Sequence, residues 1–382
     1  MVPADSANAP AFLPPARPVI GEEEIEAAVR VLRSGMVVQG PEVAGFEDEF
    51  SAVVGGRPCV AVNSGTSALH LALLAVGLEP GDEVIVPSFS FAATANAVRL
   101  AGAEPVFADI EPAQFTLDPA AVVAAIGPKT AAIMPVHLYG HPAHMTALSE
   151  IARRHGLALV EDAAQAHAAT WAGTQVGAFG EAGCFSFYPT KNMHSLEGGM
   201  VSAQDAETAR RLRLLRNQGM EQRYANEVVG ANMRLTDVAA AIGRVQLGRL
   251  GEATEQRRAN AARLTAGLTG LDGVLPPGEA PEASHVYHQY TVRVVGGRRD
   301  AAQEGLKQRG IGTAVYYPTP IHLLAPYRPG YRDLAGRQAP NRDWDLPETM
   351  RAAEEVLSLP VYPGLSDADL DRIVGAVVEV AR

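Results

Sequence analysis

From residue 60 to residue 160 the sequence alternates short apolar runs with segments long enough to form helices. The runs are rich in β-branched residues and end at turn-forming residues, and they cover residues 60–62, 83–87, 105–108, 131–136 and 157–160. Parallel strands that are covered by helices on both faces show this pattern. The alternation therefore predicts an α/β fold built on a mostly parallel sheet.

The rest of the chain completes this sheet and then forms a second unit. Residues 182–188 and 199–203 lie closer together, which predicts hairpin-like strands in the same sheet. A helix predicted over 236–263 leads into a unit with a strand at 290–295, a helix at 301–309 and a closing helix from Asp367. The expected organisation is a flexible N-terminal tail over 1–13, a large domain over 14–250 and a small C-terminal α/β domain over 251–382.

The large domain is expected to begin with an amphipathic helix. Ile25, Val29 and Leu32 recur at helical spacing within residues 14–34, behind an acidic first turn. This spacing places the three side chains on one face of a helix.

Composition excludes several classes of protein. The formal net charge of −11 argues against a nucleic-acid partner, which requires a basic face. The two cysteines, Cys59 and Cys184, form no C-x-x-C pair, so neither a disulfide scaffold nor a zinc site is expected. The longest apolar stretch, 69–78, is too short to span a bilayer, and the N-terminus lacks the pattern of a signal peptide. We therefore expect a cytoplasmic protein with no membrane partner.

Three histidines crowd one short segment and raise the question of a metal site. His137, His141 and His144 lie in a turn that contains proline, without a carboxylate at matching spacing. We predict no metal site, and interpret these side chains as hydrogen-bonded histidines of a turn or pocket.

Residues 63–67 (NSGTS) are a candidate phosphate site between a predicted strand and a predicted helix. Gly65 lets the backbone turn tightly, and the free N–H groups at the start of a helix favour an anion. Thr66 and Ser67 add hydroxyl donors. The alternative is that the segment is an ordinary Ser/Thr cap of the helix.

Asp162 and Gln165 directly follow the apolar run at 157–160. Ligands bind at the carboxyl ends of the strands in open α/β sheets. A buried carboxylate requires a cationic partner, and the protonated ring nitrogen of a heteroaromatic cofactor is one. Gln165 is then placed to donate a hydrogen bond to an oxygen on the ring. Asp162 as the cap of a helix explains this segment equally well.

Lys191 follows the strand predicted at 182–188, in which alternation puts Ser186 and Tyr188 on the same face. Burial beside other cationic groups lowers the pKa of a lysine, as a covalent bond to an aldehyde requires. Phe89 follows another predicted strand, and its ring is a candidate for stacking on a cofactor ring, which adds about 0.5–1.5 kcal/mol beyond burial. The alternatives are a solvated lysine and a phenylalanine of the core.

The order and joint presence of these segments resemble the DegT/DnrJ family of pyridoxal-phosphate sugar aminotransferases, from about Pro14 to the C-terminus. The matching stretches are NSGTSALHLAL, GDEVIVPSFSFAATANAV, PVHLYGHP, EDAAQAH, GCFSFYPTKN, EGGM, GANMRLTDVAAAIG and YYPTPIHL. The resemblance implies a fold-type I transferase with a mixed, mostly parallel seven-stranded sheet. It also implies a homodimer whose two active sites lie at the subunit interface.

The resemblance assigns a role to each candidate residue. Lys191 becomes the catalytic residue that binds pyridoxal 5'-phosphate as a Schiff base, Asp162 the partner of the ring nitrogen and Gln165 the contact of the ring oxygen. The remaining cofactor-binding positions are Phe89 at the ring face, Thr66 and Ser186 at the phosphate with Gly65 and Ser67 beside them, and Asn232, which reaches the phosphate of the neighbouring subunit.

Three positions depart from the family pattern. Ala168 stands where the family often has glycine, and Gln218 stands where the stretch L-R-N-H-G has histidine. Residues 192–196 (NMHSL) replace the small Thr and Gly residues that are typical there. We expect Ala168 to alter the wall of the pocket, and all three departures to affect the substrate and not the cofactor.

The sequence around Lys191 also bears on the substrate. P-T-K-N followed by E-G-G-M is similar to relatives that aminate C4 of a keto-sugar, whereas relatives acting at C3 more often have glycine before the lysine and G-D-G-G after it. We therefore predict amination of a nucleotide-linked 4-keto-6-deoxy sugar, in the first place dTDP-4-keto-6-deoxyglucose, with L-glutamate as amino donor. Candidate residues facing the nucleotide-sugar are Arg234, Tyr317 and His322, with packing or surface roles as the alternative.

Other activities remain open at this point. A C3 sugar aminotransferase and a keto-cyclitol aminotransferase are alternatives within the family. Dehydrating relatives replace the lysine with histidine, so the presence of Lys191 argues against a dehydratase. A regulatory protein that binds the cofactor without catalysis is the alternative from another class.

Overall fold

The computed structural model describes residues 11–334 and 336–381. The α-helices are α1 Glu22–Ser34, α2 Pro41–Ser51, α3 Gly65–Ala75, α4 Ala93–Leu100, α5 Pro119–Ala125, α6 Met145–His155, α7 Ala206–Arg216, α8 Asp237–Leu268, α9 Arg299–Gln308, α10 Pro347–Glu355 and α11 Asp367–Ala381. The strands are β1 Cys59–Val62, β2 Glu83–Pro87, β3 Glu104–Ala108, β4 Thr130–Ile133, β5 Ala158–Asp162, β6 Thr170–Trp171, β7 Thr174–Gln175, β8 Ala182–Ser186, β9 Gly199–Ala203, β10 Met220–Gln222, β11 Ala225–Asn226, β12 Val274–Leu275, β13 Ala283–Ser284, β14 Tyr290–Val294 and β15 Val356–Leu359. Short 3-10 helices lie at Ala52–Val54, Leu138–Gly140, Ile321–Leu323 and Ala325–Tyr327. None of the described helices is long and apolar enough to cross a membrane.

The central sheet of the described chain has seven strands in the order β1-β9-β8-β5-β4-β2-β3. Neighbouring strands from β8 to β3 are parallel, whereas β9 is antiparallel to both β8 and β1. The predicted α/β class and the mixed, mostly parallel sheet are therefore confirmed. β8 and β9 form the expected hairpin-like pair, but β1 lies outside β9 and occupies that edge of the sheet.

Helices cover the sheet on both faces because its strands are apolar on both sides. Val60 and Val62 of β1 belong to a core that includes α3, α4 and α7. Cys59 and Ala61, which alternate with them, belong to a core that includes α2 and α8, and α5 and α6 cover the strands farther along. Burial on both faces explains why these strands are continuous apolar runs in the sequence.

The segments that follow β1, β2, β5 and β8 meet at the carboxyl edge of this sheet. Asp162 is the last residue of β5 and lies opposite Cys184 in the parallel register with β8. Lys191 follows β8 by a few residues, on the same edge of the sheet. The sheet therefore brings together residues that are far apart in the sequence.

A second unit is built on a three-stranded sheet of order β12-β14-β15. Its core contains residues of α9, α11 and the C-terminal half of α8, such as Leu264 and Leu268. α8 also contributes Leu250 to a core of the large sheet. Because one continuous helix belongs to both cores, no linker marks the predicted boundary after residue 250, and the division of the chain into domains stays a prediction.

The N-terminal segment is only partly described. Residues 1–10 of the predicted flexible tail lie outside the described residues. Leu13 is 8% exposed; its N–H donates to the Gly310 carbonyl at 2.9 Å, and its own carbonyl accepts from the Gly312 N–H at 2.7 Å. The prediction of a flexible segment is wrong for Leu13, because this side chain is buried in the core of the second unit.

The predicted N-terminal helix is present as α1, but its buried face differs from its most apolar one. Ile25 and Leu32 are 48% and 61% exposed, whereas Ala27 and Val31 pack against α8. Glu24 is also buried, because its carboxylate accepts hydrogen bonds from the Gly21 N–H and the side chains of residues 246 and 249. Ile25 and Leu32 of the predicted apolar stripe are therefore left exposed in the single chain, and Val29 is half-buried.

Candidate active site

Lys191 lies in a cavity of about 520 Å³ at the carboxyl edge of the large sheet. Its backbone N–H donates to the Tyr188 carbonyl oxygen at 2.9 Å, in a turn that follows β8. Burial lowers the pKa of the Lys191 amine to about 8, although the nearby Asp162 carboxylate acts in the opposite direction. An amine with this pKa is a far better nucleophile at neutral pH than a solvated lysine.

Asp162 faces the same cavity from the end of β5 and is 4% exposed. Its Oδ2 accepts from the Thr94 hydroxyl at 2.9 Å, and its Oδ1 accepts from the Ala164 N–H at 3.2 Å. Burial raises the pKa of this carboxyl, and these two hydrogen bonds and Lys191 act against the shift. A buried carboxylate in this setting is suited to a cationic ring nitrogen.

Gln165 is held in one orientation by hydrogen bonds on both ends of its amide. Its Oε1 accepts from the Tyr139 N–H at 2.7 Å, and its Nε2 donates to the Tyr317 hydroxyl at 3.1 Å. The second Nε2 hydrogen is then available to an acceptor in the cavity. Tyr317 lines the same cavity, as predicted, and burial raises the pKa of its hydroxyl.

The candidate phosphate segment forms the start of α3. Ser64 caps the helix, because its hydroxyl accepts from the Ser67 N–H at 3.1 Å. Gly65, Thr66 and Ser186 line the cavity, so free N–H groups and hydroxyls converge there as an anion requires. A Cβ on Gly65 would lie 2.7 Å from the Ser186 Cβ, which is why the close approach of α3 to β8 requires glycine.

Ser67 does not belong to the wall of this cavity. Its hydroxyl donates to the Asn63 Oδ1 at 2.6 Å, and its N–H is used by the helix cap. The prediction that Ser67 binds the phosphate is therefore corrected. The cap alternative holds for the Ser67 N–H, and Gly65 and Thr66 stay the candidates for the anion site.

Phe89 is also misplaced by the prediction. Its side chain is 0% exposed and packs in a core cluster with Phe115, where the ring centroids are 6.1 Å apart. Of the two phenylalanines that follow β2, Phe91 is the one that lines the cavity; its side chain is 59% exposed, and its ring centroid lies 6.0 Å from that of Tyr317. β2 ends at Pro87, so the two-residue alternation of a strand no longer fixes which of the following side chains faces inward.

Two of the three candidate substrate residues lie outside the cavity wall. His322 is 8% exposed, and its Nδ1 and backbone N–H hydrogen-bond the Ser88 hydroxyl at 2.7 and 3.0 Å. Its assignment to the substrate wall is corrected, because the ring is buried beside Phe107, with their ring centroids 6.3 Å apart, and does not line the cavity. The Arg234 guanidinium donates to the Asn217 Oδ1 at 2.7 Å, so its substrate role stays a prediction.

Asn232 is exposed and does not line the cavity of its own chain. It pairs with Asn217 in an isolated antiparallel bridge. The expectation that it reaches the site of a neighbouring subunit stays a prediction.

All three departures from the family pattern include a residue with a left-handed backbone. Ala168 has a φ of 63°, Gln218 a φ of 59° and Leu196, the last residue of the stretch 192–196, a φ of 68°. Glycine adopts this conformation without strain, whereas a Cβ makes it costly. Ala168 packs beside the core that contains Phe185 and does not line the cavity, so the expectation that it alters the pocket wall is corrected.

The crowded histidines are each engaged in local hydrogen bonds. His137 Nε2 lies 3.1 Å from a Glu161 oxygen, and its Nδ1 accepts from the Ala143 N–H at 3.0 Å. His141 and His144 hydrogen-bond backbone groups of their own loops or of nearby residues. Among the described residues, no group of three or more His, Cys, Asp or Glu side chains is arranged to bind a metal.

Several residues of the cavity wall were missed by sequence reasoning. Phe91 could have been considered as a second aromatic ring close to Phe89, but Thr94 sits inside a helix with no signal of its own. His288 and Gln289 come from the second unit, and each is buried although polar, which the sequence does not reveal. Glu197 also lines the cavity, although the stretch E-G-G-M by itself does not indicate that its glutamate faces inward.

The sequence matches the DegT/DnrJ/EryC1/StrS aminotransferase family over residues 18–378. The chain belongs to this family. It is 46% identical over 361 residues to the dTDP-3-amino-3,4,6-trideoxy-alpha-D-glucose transaminase of Streptomyces venezuelae, covering 94% of this chain and 92% of the relative. The solved structure of DesV from S. venezuelae is also 46% identical, with a TM-score of 0.89 over 94% of this chain and 95% of that one.

The cofactor follows from the same comparison. A sugar aminotransferase of Streptococcus pneumoniae, described as putative and solved in its PLP form, is 27% identical, with a TM-score of 0.88 over 98% of this chain and 99% of that one. The protein is a pyridoxal-phosphate-dependent sugar aminotransferase. Its cavity fits this cofactor, because a lysine amine, a buried carboxylate, an amide donor and a helix N-terminus converge there.

The close approach of Gly65 to Ser186 predicts that a side chain at position 65 weakens cofactor binding. Gly65→Ala should weaken the binding of pyridoxal phosphate at least about tenfold, because its Cβ would displace the Ser186 side chain from the phosphate site. Titration of cofactor-free protein followed by absorbance measures this affinity. Gly251→Ala is the matched control, since nothing lies within 4 Å of a Cβ there. Equal affinity of Gly65→Ala and wild type would contradict the assignment.

The lowered pKa of Lys191 predicts a pH profile. Only the unprotonated amine attacks an aldehyde, so covalent capture of pyridoxal phosphate by cofactor-free protein should rise with pH around a midpoint of about 8, and not near the ordinary 10.5. Borohydride trapping followed by peptide mass spectrometry measures the adduct. The chain has two other lysines, Lys129 and Lys307, which serve as internal controls. A Lys191 profile that coincides with theirs would contradict the effect of burial.

Proposed function

We propose that the protein transfers the amino group of L-glutamate to a keto group of a dTDP-linked deoxyhexose. The observation that supports this most is the cavity in which buried Lys191 faces Asp162, in a chain 46% identical to a transaminase of a dTDP-linked aminosugar. The bound cofactor supplies an electron sink that allows an amino group to be exchanged between two carbon atoms. The protein must position it, exclude water and move protons.

Each residue of the cavity has a task in this proposal. The Lys191 amine would hold the cofactor through its aldehyde, and the same amine in its free form would move the proton between substrate and cofactor carbons. The Asp162 carboxylate keeps the ring nitrogen protonated, and the free hydrogen of Gln165 Nε2 binds the ring oxygen. Thr66, Ser186 and the start of α3 hold the phosphate. Two substrates that share one site in turn should give ping-pong kinetics.

For the position of the keto group, C3 has the stronger support. The Streptomyces venezuelae relative forms a 3-amino sugar, and it matches nearly the whole chain. C4, which the sequence around Lys191 predicts, is the second candidate. It is supported by the similarity of P-T-K-N and E-G-G-M to relatives that act at C4, and Glu197 of the second motif lines the cavity.

A homodimer is the assembly that this proposal requires. The exposed apolar residues of the N-terminal region, Ile25, Leu32, Met36, Val37 and Val38, supply a surface that a second copy can cover. Asn232 is exposed and does not line the cavity of its own chain, which supports a role in the site of the partner subunit.

Product analysis tests the activity and the position together. Holoenzyme incubated with glutamate and either a 3-keto or a 4-keto dTDP-6-deoxyhexose should form 2-oxoglutarate and an aminosugar with the 3-keto compound, as mass spectrometry would show. Lys191→Ala should form neither product, whereas Lys307→Ala, which changes an exposed lysine, should be fully active. Product from the 4-keto sugar alone would establish C4 instead. No 2-oxoglutarate with any keto-sugar or keto-cyclitol would refute the proposed activity.

Mixed dimers test the shared site. Co-expressed Asn232→Ala and Lys191→Ala chains should recover partial activity, because one of the two sites in a mixed dimer then has an intact lysine and an intact partner asparagine. Each variant alone is the control. Activity no higher than that of the separate variants would contradict an active site completed by Asn232 of the partner subunit.

A further inference from the structure

A second cavity, of about 210 Å³, lies next to the cofactor cavity. Thr190 and Lys191 line both, so the segment that carries the catalytic lysine is a wall shared by the two cavities. The other walls of the second cavity come from residues 16–19, from α8 and from Pro363 of the second unit. At this volume the cavity admits a small ion or a short side chain but not a nucleotide-sugar.

Arg257 of α8 lines this second cavity and is 7% exposed. Its Nη1 donates to the carbonyl oxygens of Tyr287 and His288 at 3.1 and 3.4 Å, while its buried Nε has no hydrogen-bond partner. Burial lowers its pKa to about 10, which still leaves the guanidinium protonated at neutral pH. Among the described residues no carboxylate pairs with it.

Arg216, a second buried arginine, is paired with a carboxylate, which Arg257 lacks. Arg216 is 6% exposed, and its Nη1 lies 2.5 Å from the Glu47 carboxylate and 2.7 Å from the Ala61 carbonyl oxygen. A buried cation without such a counter-charge strongly destabilises the folded protein. The buried guanidinium of Arg257 therefore lacks a counter-charge, and an anion bound in the adjoining cavity would provide one.

The remainder of the cavity wall does not supply this anion. Glu252 lies on the wall but is exposed, and its carboxylate accepts from the Gln256 amide at 3.0 Å. Glu23 and Glu24 are engaged with Arg249, at 2.6 and 2.8 Å. The acids near the cavity thus have partners of their own, and the charge of Arg257 stays available to a ligand.

We propose that the second cavity is a carboxylate site, in which Arg257 binds the side-chain carboxylate of a dicarboxylic amino donor and of its keto-acid product. This rests on the proposed function, in which glutamate is the donor. Lys191 borders both cavities, and Arg257 donates to the carbonyl of His288, which lines the first, so a donor whose amino group reacts in the first cavity is within reach of Arg257. The cofactor phosphate has its own site at the start of α3, which does not line the second cavity.

The first test compares two neighbouring arginines. Glutarate, a dicarboxylate without an amino group, should bind wild-type holoenzyme in calorimetry, and Arg257→Gln should weaken that binding about 10- to 100-fold, as expected for the loss of a hydrogen-bonded charge. Arg258→Gln is the matched control, because its guanidinium bonds to Ser284, the His285 carbonyl and Glu255, away from both cavities. No binding of glutarate to the wild type would overturn the proposal.

A second variant keeps the test valid if Arg257→Gln fails to fold. Ala253 lines the same cavity four residues before Arg257, on the same face of α8. Ala253→Glu would supply the missing carboxylate from within the protein, so the fold should be retained while glutarate binding is lost. Glutarate that binds a folded Ala253→Glu protein as tightly as the wild type would overturn the proposal.

Half-reactions identify the source of the carboxylate. In single turnovers that convert the bound cofactor to its amino form, Arg257→Gln should react with glutamate about 10- to 100-fold more slowly than wild type, but with alanine at an unchanged rate. The second half-reaction, with the keto-sugar, should also be unchanged. An unchanged preference for glutamate over alanine would overturn the donor site, even if glutarate binding is lost. Failure of the keto-sugar half-reaction in the wild type would instead refute only the proposed sugar substrate.

Discussion

The active site depends on the burial of an amine and a carboxylate side by side, Lys191 and Asp162. Burial disfavours the charged form of each group, while each opposes that effect on the other. The result is an amine that is nucleophilic near neutral pH and a carboxylate available to a cationic ring. Neither group would have these properties in solvent, so the function requires the buried carboxyl edge of a sheet that is covered by helices on both faces.

The sheet provides this burial through the direction of its strands. Because β5 and β8 are parallel neighbours, the residue that ends one and the loop that follows the other meet at the same edge. Glu161, the residue before Asp162, stabilises that edge through hydrogen bonds on the opposite face of the sheet. Glu161 is 0% exposed and accepts from the N–H groups of Gly177, Phe179 and Gly180 as well as from His137. One strand end thus holds a structural carboxylate and a functional one.

Five candidate cofactor residues line the cavity because they lie at or just after regular elements. Asp162 and Ser186 end strands, Thr66 lies at the start of a helix, and Lys191 and Gln165 lie in the turns that follow strands. Their roles toward the cofactor stay predictions. Phe89 follows the end of β2 and His322 lies in a short 3-10 helix, and neither lines the cavity, because the direction of these side chains depends on packing against residues distant in sequence. His288 and Arg257 gave no signal, since buried polar residues of the second unit cannot be recognised before their neighbours are known.

The sequence by itself determined the α/β class, the order of the strands along the chain and the residues able to hold a phosphate-bearing cofactor. Its apolar runs and turn residues act locally, so they can be read without a structure. Only the tertiary structure decided which of the two phenylalanines after β2 lines the cavity and which buried arginine has no counter-charge. It also decided that Ile25 and Leu32 of α1 are exposed. These properties depend on contacts between segments far apart in the chain, and burial and pairing exist only once those segments have packed.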